Sequence, residues 1–259
     1  QIPPWGNFEA RPSVPHHGYR WLRERWCAPT DQWSHYAEIM AAYYGQVTLL
    51  EHEIARVLEA LDRLELTEST LVIFASDHGD MGGGNGLLQK GAVAYDELYR
   101  VPLVARWPGR IKAGSTSGQT ICLTDLMATA AAITGAKLPN NAAEDSYNIL
   151  PALLGKDTQP IRKYTLHQTM SLALAIRSGD WKYLDHKGSG GNNYNRGGEW
   201  GMKQFALPEK APGARGQLYN LKTDPGETTN LYLEKPEIVE ELKAKLEEFK
   251  KSGRSVPRT

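Results

Sequence analysis

Cysteine is nearly absent: Cys27 and Cys122 are the only two in 259 residues, and they lie far apart. They build neither a disulfide framework nor a thiolate metal cluster, and they leave the redox compartment open. Net charge is absent as well, with 30 lysines and arginines against 30 aspartates and glutamates. That balance removes a nucleic-acid or other polyanion surface built on bulk charge, while leaving room for a local basic pocket. No apolar run approaches the roughly 20 residues of a membrane span, and no secretory signal peptide is recognisable. A starting methionine is missing too, since the first residue is Gln1, as expected of a chain processed or excised from something longer. What is present is ordinary globular material, 41% hydrophobic and 23% charged. The length suits one large domain, or a domain with a small partner.

Residues 1–33 read as irregular chain, punctuated by Pro3, Pro4, Pro12, Pro15 and Pro29. From Ser34 to Leu64 the texture changes. Ile39, Met40, Tyr43, Val47, Leu50, Ile54, Leu58 and Leu61 recur at steps of three and four, which predicts a long amphipathic helix. Ser34 is the expected N-cap, and the apolar stripe is expected to lie on a sheet, leaving Glu51, His52 and Glu53 solvated or behind a site. A polar turn, Thr67–Thr70, leads into the uniformly apolar Leu71–Ala75, too short for an amphipathic helix. A helix followed by a continuous buried strand predicts an α/β unit with a parallel sheet. A second buried strand is expected at Val101–Arg106, closed by Pro108-Gly109, and a helix at 124–135 with Thr124 as N-cap and Gly135 just past its end.

After Pro139 the runs shorten. LALAIRS, DWKYL and QLYNL read as strands, HKGSGGNNYNRGGEWG (186–201) as a long loop, and Pro236–Lys250 as an amphipathic helix carrying Ile238, Leu242, Leu246 and Phe249. The expected organisation is a main α/β body at 1–140 and a small α+β subdomain at 141–259, the latter an antiparallel sheet with a C-terminal helix.

The chemistry concentrates in LVIFASDHGDMGGGN (71–85). A buried strand delivers Asp77 and His78 to its carboxyl end, where ligand sites of open parallel sheets form. Adjacent residues on an extended chain point apart, so the pair can share an ion only where the strand has become a turn, and Gly79 supplies that freedom. A hard carboxylate oxygen and an imidazole nitrogen can complete a divalent-metal site but are too few to form one alone. Glycines 79, 82, 83, 84 and 86 let a ligand approach the backbone, and Lys90 follows as a counter-charge for an anionic substrate oxygen.

The stretch ASDHGDMGGGNGLLQKGAVAYDELYRVPLVARWPGRIKAG (75–114) resembles the sulfatase family of the alkaline-phosphatase-like superfamily. The likeness continues through LTDLMATAAAITGAKLP (123–139), DSYNILPALLGK (145–156), AIRSGDWKYL (175–184) and QLYNLKTDPGETTNL (217–231). It implies an alkaline-phosphatase-like mixed or parallel sheet flanked by helices. Asp77 and His78 match the family's second pair of metal ligands, usually for a single calcium ion. Lys90 matches the lysine that binds the sulfate and helps the leaving oxygen depart. His167 precedes a strand pair that lies near the substrate in glycan sulfatases, so it is read as either a substrate contact or a structural histidine. The resemblance further implies sulfated carbohydrate as substrate, and a periplasmic, secreted or lysosomal-like location. Trp181, Tyr183, Asn192, Asn193, Tyr194 and Trp200 suit sugar faces and hydroxyls equally well as core and loop positions.

Other family features are missing. The nucleophile motif Cys/Ser-x-Pro-x-Arg, whose first residue becomes formylglycine, is approached only by CAPTD at 27–31, which lacks the arginine and lies too close ahead of Asp77. The first metal-ligand pair, Asp-Asp, and the Lys-x-His segment are not found. Pro15-His16-His17 is not read as the Pro-His segment, because the proline-rich IPPWGNFEARP precedes it, whereas in relatives such a stretch follows the substrate histidine. The chain therefore resembles the C-terminal portion only, with N-terminal strands and nucleophile expected from a missing N-terminal half, on the same polypeptide or a separate chain. Two ligands cannot hold calcium, which takes about six to eight oxygens. Inactivity of this chain alone is expected. The alternatives are a phosphomonoester, phosphodiester or phosphonate hydrolase of the same superfamily, and a non-catalytic glycan-binding or structural subunit.

Overall fold

A computed structural model of the protein describes residues 33–82, 94–156, 159–169, 172–186, 211 and 213–257. The expected irregular segment before Trp33, Lys90 and most of the loop at 186–201 lie outside the described residues. The elements are α1 (Trp33–Arg63), a 3₁₀ turn (Thr67–Ser69), β1 (Val72–Ala75), α2 (Asp96–Tyr99), β2 (Leu103–Arg106), α3 (Asp125–Thr134), α4 (Leu150–Leu153), β3 (Thr165–Gln168), β4 (Leu174–Ser178), β5 (Trp181–Leu184), β6 (Gln217–Asn220) and α5 (Pro236–Ser252). The chain is α/β in class, as expected, with its described strands in a two-stranded and a four-stranded sheet. They fall into two compact units that draw on alternating segments. One takes chain up to Leu49, His78–Val101 and Leu166–Ala244; the other takes Leu50–Asp77, Pro102–Thr165 and the chain from Lys245 onward.

β1 and β2 pair antiparallel, with Val72 opposite Arg106 and Ala75 opposite Leu103. The parallel partner expected for β1 is not among the described strands. Nor are the two strands buried on both faces: Phe74 and Val104 sit opposite each other across the ladder and are 39% and 61% exposed. A uniformly apolar run predicts burial on both faces only when both faces are covered, and here one is open.

α1 shows a similar departure. It begins at Trp33, so Ser34 lies inside the helix. Met40 is buried, but Ile39, Tyr43, Val47 and Leu50 of the apolar stripe are exposed, and Ile54, Leu58 and Leu61 are half-buried. Glu51, His52 and Glu53 are exposed, as expected.

In the four-stranded sheet the order is β3-β4-β5-β6. β4 pairs antiparallel with β5 (Ala175 opposite Leu184) and β5 with β6 (Lys182 opposite Tyr219). Period-two alternation divides the residues between faces. One face presents Ala175, Leu184 and Tyr219, which pack with Ala94 and, at their margin, Tyr99 and Leu221. Tyr183 points the other way. It is 2% exposed, stacks near Tyr232 with ring centroids 6.4 Å apart, and donates its hydroxyl to Asp185 Oδ1 at 2.7 Å. Tyr183 is thus a core aromatic and not a sugar platform.

α3 ends as expected on Gly135, whose φ of 72° is the left-handed conformation glycine adopts without steric cost. Its start differs from expectation. Thr124 makes no capping hydrogen bond. The next residue does the work: the buried Asp125 carboxylate accepts from the Cys122 N–H at 2.7 Å, the Tyr147 N–H at 2.9 Å and the Arg162 guanidinium. Arg162 also covers the Tyr147 ring at 4.4 Å and donates to Cys122 Sγ at 3.2 Å. Burial pushes the Cys122 thiol above its ordinary range, against the pull of Arg162. Thr129 Oγ1 donates to the Asp125 carbonyl at 2.7 Å and accepts from the Ile149 N–H at 3.0 Å, extending the network to the start of α4. Because a lone buried charge is costly, Asp125→Ala or Arg162→Met is expected to destabilise the protein by about 3–5 kcal/mol, read as a lowered urea midpoint.

Candidate functional site

β1 ends at Ala75, and Asp77, His78 and Gly79 follow in the turn the sequence required. Asp77 is exposed and His78 half-buried. His78 Nδ1 lies 2.8 Å from the Gly79 carbonyl oxygen, which can only accept, so Nδ1 carries a proton and, in the neutral ring, the lone pair is on Nε2. A ring N–H given to a backbone carbonyl, with the other nitrogen presented as a base, is the tautomer a metal-ligating histidine uses. Asp80 Oδ1 then accepts the Gly82 N–H at 2.8 Å, with Gly82 at a φ of 50° and Met81 1% exposed between them.

The turn is pressed against α2. The Gly79 N–H donates to the Leu98 carbonyl at 2.9 Å. A Cβ at position 79 would stand 1.8 Å from the Glu97 carbonyl oxygen, so no other residue fits without moving backbone. This is a second reason for the glycine, beyond the turn itself, and one that sequence reasoning missed.

α2 is held from the sheet. Glu227 Oε1 accepts the Asp96 N–H at 2.7 Å, and both carboxylate oxygens accept from Lys182 Nζ, at 2.8 and 2.9 Å. Lys182 and Glu227 are 0% and 1% exposed. Burial pushes the Glu227 carboxyl up to about 7, with the Lys182 ammonium and the Asp96 N–H pulling it down. Arg177 Nη1 stands 3.5 Å from Asp96 Oδ1, and the Tyr99 hydroxyl donates to the Gln168 carbonyl at 3.1 Å. Burial, and then the Glu227 carboxylate, push that hydroxyl up to about 12.

His167 lies in β3 and stacks flat on Tyr99, with centroids 4.3 Å apart and planes 8° from parallel. Its buried Nδ1 has no hydrogen-bond partner among the described residues. Desolvation, with Lys182 and Arg177 adding to it, lowers its pKa to about 3. His186, just past β5, is lowered to about 4, chiefly by burial. The structure thus brings His167, Tyr99, Lys182, Glu227 and Asp96 into one polar layer. Among the described residues no group of three or more His, Cys, Asp or Glu gathers in metal-binding fashion. The Lys182–Glu227 pair escaped sequence reasoning. A lysine midway along DWKYL reads as an exposed strand position, and the glutamate of DPGET reads as a turn residue.

Comparison with known proteins follows from this geometry. The family model described as Sulfatase matches residues 12–136. An N-acetylgalactosamine-6-O-sulfatase of Bacteroides thetaiotaomicron is 33% identical over 223 residues, covering 80% of this chain and 41% of its own length. Arylsulfatase A of Homo sapiens is 31% identical over 194 residues, covering 70% of this chain and 37% of its own. A solved structure described as complexed with its substrate, D-glucosamine-2-N,6-O-disulfate, superposes with a TM-score of 0.65 at 25% identity, over 84% of this chain and 41% of that one. The chain therefore spans about two-fifths of the length of the relatives it matches.

His167 carries the pH consequence of this layer. Its folded pKa of about 3 lies below the ordinary 6.5, so protonation favours the unfolded chain, and the histidine costs stability as pH falls from 6.5 toward 3. His167→Phe, which keeps a ring against Tyr99, is expected to flatten that acid loss, read from urea midpoints across the same range.

Proposed function

Because the chain belongs to the sulfatase family, we propose that it is the carboxy-terminal part of a metal-dependent enzyme that hydrolyses sulfate esters of carbohydrates. The observation that carries the reading is the Asp77-His78-Gly79 turn, where Nδ1–H of His78 is given to the Gly79 carbonyl and the Nε2 lone pair stands beside a carboxylate in sequence. A carboxylate oxygen and a basic imidazole nitrogen fit part of a divalent-cation site, and the remaining ligands must come from elsewhere. When bound there, such a cation, calcium by the family resemblance, would polarise the sulfate. Asp77 and His78 would hold it, and Lys90 would offset charge on the sulfate and the departing oxygen. His167, stacked on Tyr99, belongs in this reading to the scaffold.

The second part of the proposal concerns the missing half. Ile39, Tyr43, Val47 and Leu50 form an apolar helix stripe left open to solvent, and Phe74 and Val104 form an apolar sheet face left open. Apolar surface of this kind is normally covered, and about three-fifths of the length of the N-acetylgalactosamine-6-O-sulfatase lies outside the match. Both surfaces are assigned to the amino-terminal half of the enzyme, which would also bring the nucleophile and the other metal ligands. The named activities of the relatives favour sulfated amino sugars as substrates. Among the described residues no helix is long and apolar enough to cross a membrane, and a periplasmic, secreted or lysosomal-like placement is proposed from the family.

The test compares residues 1–259 alone with the same residues joined to an amino-terminal half, assayed on 4-nitrophenyl sulfate, 4-nitrophenyl phosphate and a 6-sulfated N-acetylhexosamine. Turnover of sulfate esters is expected only in the joined form, and Asp77→Ala is expected to lower kcat/KM by about a hundredfold or more. Robust sulfate hydrolysis by 1–259 alone, or preference for the phosphate ester, would refute the reading.

A further inference from the structure

We propose that the buried Lys182–Glu227 pair positions the backbone that follows Asp77 and His78, and so sets the ligand geometry of the proposed metal site; this rests on the reading of that turn as a metal site. The path runs through main-chain groups. The Gly79 N–H is held by the Leu98 carbonyl at 2.9 Å, and the close approach of Glu97 oxygen to Gly79 allows no slack between the turn and α2. α2 has four residues, far too few to be stable unaided, so its place is decided by what holds it. At its start the Asp96 N–H is held by Glu227 at 2.7 Å, and at its end the Tyr99 hydroxyl is held by the Gln168 carbonyl at 3.1 Å.

Glu227 is aimed at that N–H by a braced turn. It holds a left-handed φ of 51°, a conformation disfavoured for a residue with a side chain. Asp224 keeps it there, accepting the Thr228 N–H at 2.9 Å, the Thr229 N–H at 2.9 Å and the Thr228 hydroxyl at 2.9 Å. Lys182, reaching up from β5, holds both carboxylate oxygens and leaves Glu227 one direction in which to serve Asp96. A pair needed only for the fold of the sheet would require no third donor. The geometry instead spends one carboxylate oxygen on the segment that presses against the metal-site turn.

Position 96 allows the hydrogen bond to be removed without touching the buried charges. Asp96 is the first helical residue, where proline is well tolerated, and Tyr95 before it is extended (φ −78°, ψ 154°), as a residue preceding proline should be. Asp96→Pro deletes the N–H given to Glu227, whereas Asp96→Ala deletes only the side chain. In residues 1–259 joined to an amino-terminal half, hydrogen exchange is followed in peptides covering 76–82, 94–100 and 174–184, and calcium alone is titrated by calorimetry. Asp96→Pro is expected to speed exchange in 76–82 by about tenfold or more, to leave 174–184 unchanged, and to weaken calcium binding by about ten- to a hundredfold. Asp96→Ala is expected to stay within about threefold of the wild type, against the same scale. A Lys182→Met, Glu227→Leu double variant is expected to speed exchange in 76–82 as Asp96→Pro does. Unchanged exchange in 76–82 in Asp96→Pro, or equal effects of the two Asp96 substitutions, would overturn the proposal. If the joined wild-type protein binds no calcium, the metal reading falls instead, and the exchange comparison still decides the positioning role.

Discussion

A carboxylate taken out of water loses solvation that only an opposite charge and well-aimed donors can replace. Glu227 meets that condition with Lys182 Nζ on both oxygens and a main-chain N–H on one. Neither residue can turn away without leaving a bare charge in the interior, so the geometry is held from both sides. The order of α2, the stacking of His167 on Tyr99, and the fit of Gly79 against α2 are arranged around this fixed point. The other unit repeats the device with Asp125 and Arg162, where the charged pair gathers main-chain donors from the start of α3 and from Tyr147.

The two pairs do different things with the same physics. Asp125 collects donors from segments distant in sequence and stitches a loop-rich region together. Glu227 directs one spare oxygen toward a short helix whose own hydrogen bonds could not place it. In both, the specificity lies in which third group is satisfied, since the pairs themselves contribute little net stability over an apolar substitute of equal volume.

Much of this was legible in the residues. Period 3.6 located α1, α3 and α5 to within a residue or two, Gly135 marked the end of α3, and alternation in LALAIRS, DWKYL and QLYNL gave β4, β5 and β6. The family resemblance rested on ordered motifs and agrees with the relatives. The direction in which β1 pairs was not legible, because a short apolar run reads alike in parallel and antiparallel settings. Nor was the exposure of the α1 stripe: periodicity reports that a helix has an apolar face and is silent on what covers it. Lys182 and Glu227 meet across 45 residues. Sequence alone reads each as the solvated residue it usually is, and only pairing in three dimensions makes burial affordable for either.

The interleaving of the two units has a consequence for synthesis. Each is assembled from three separated segments, and both draw on α5, the one as far as Ala244 and the other from Lys245. Leu242, Leu246 and Phe249 of this helix are all buried. Neither unit can be completed on the ribosome before this helix has emerged, and a single stretch of translation closes both.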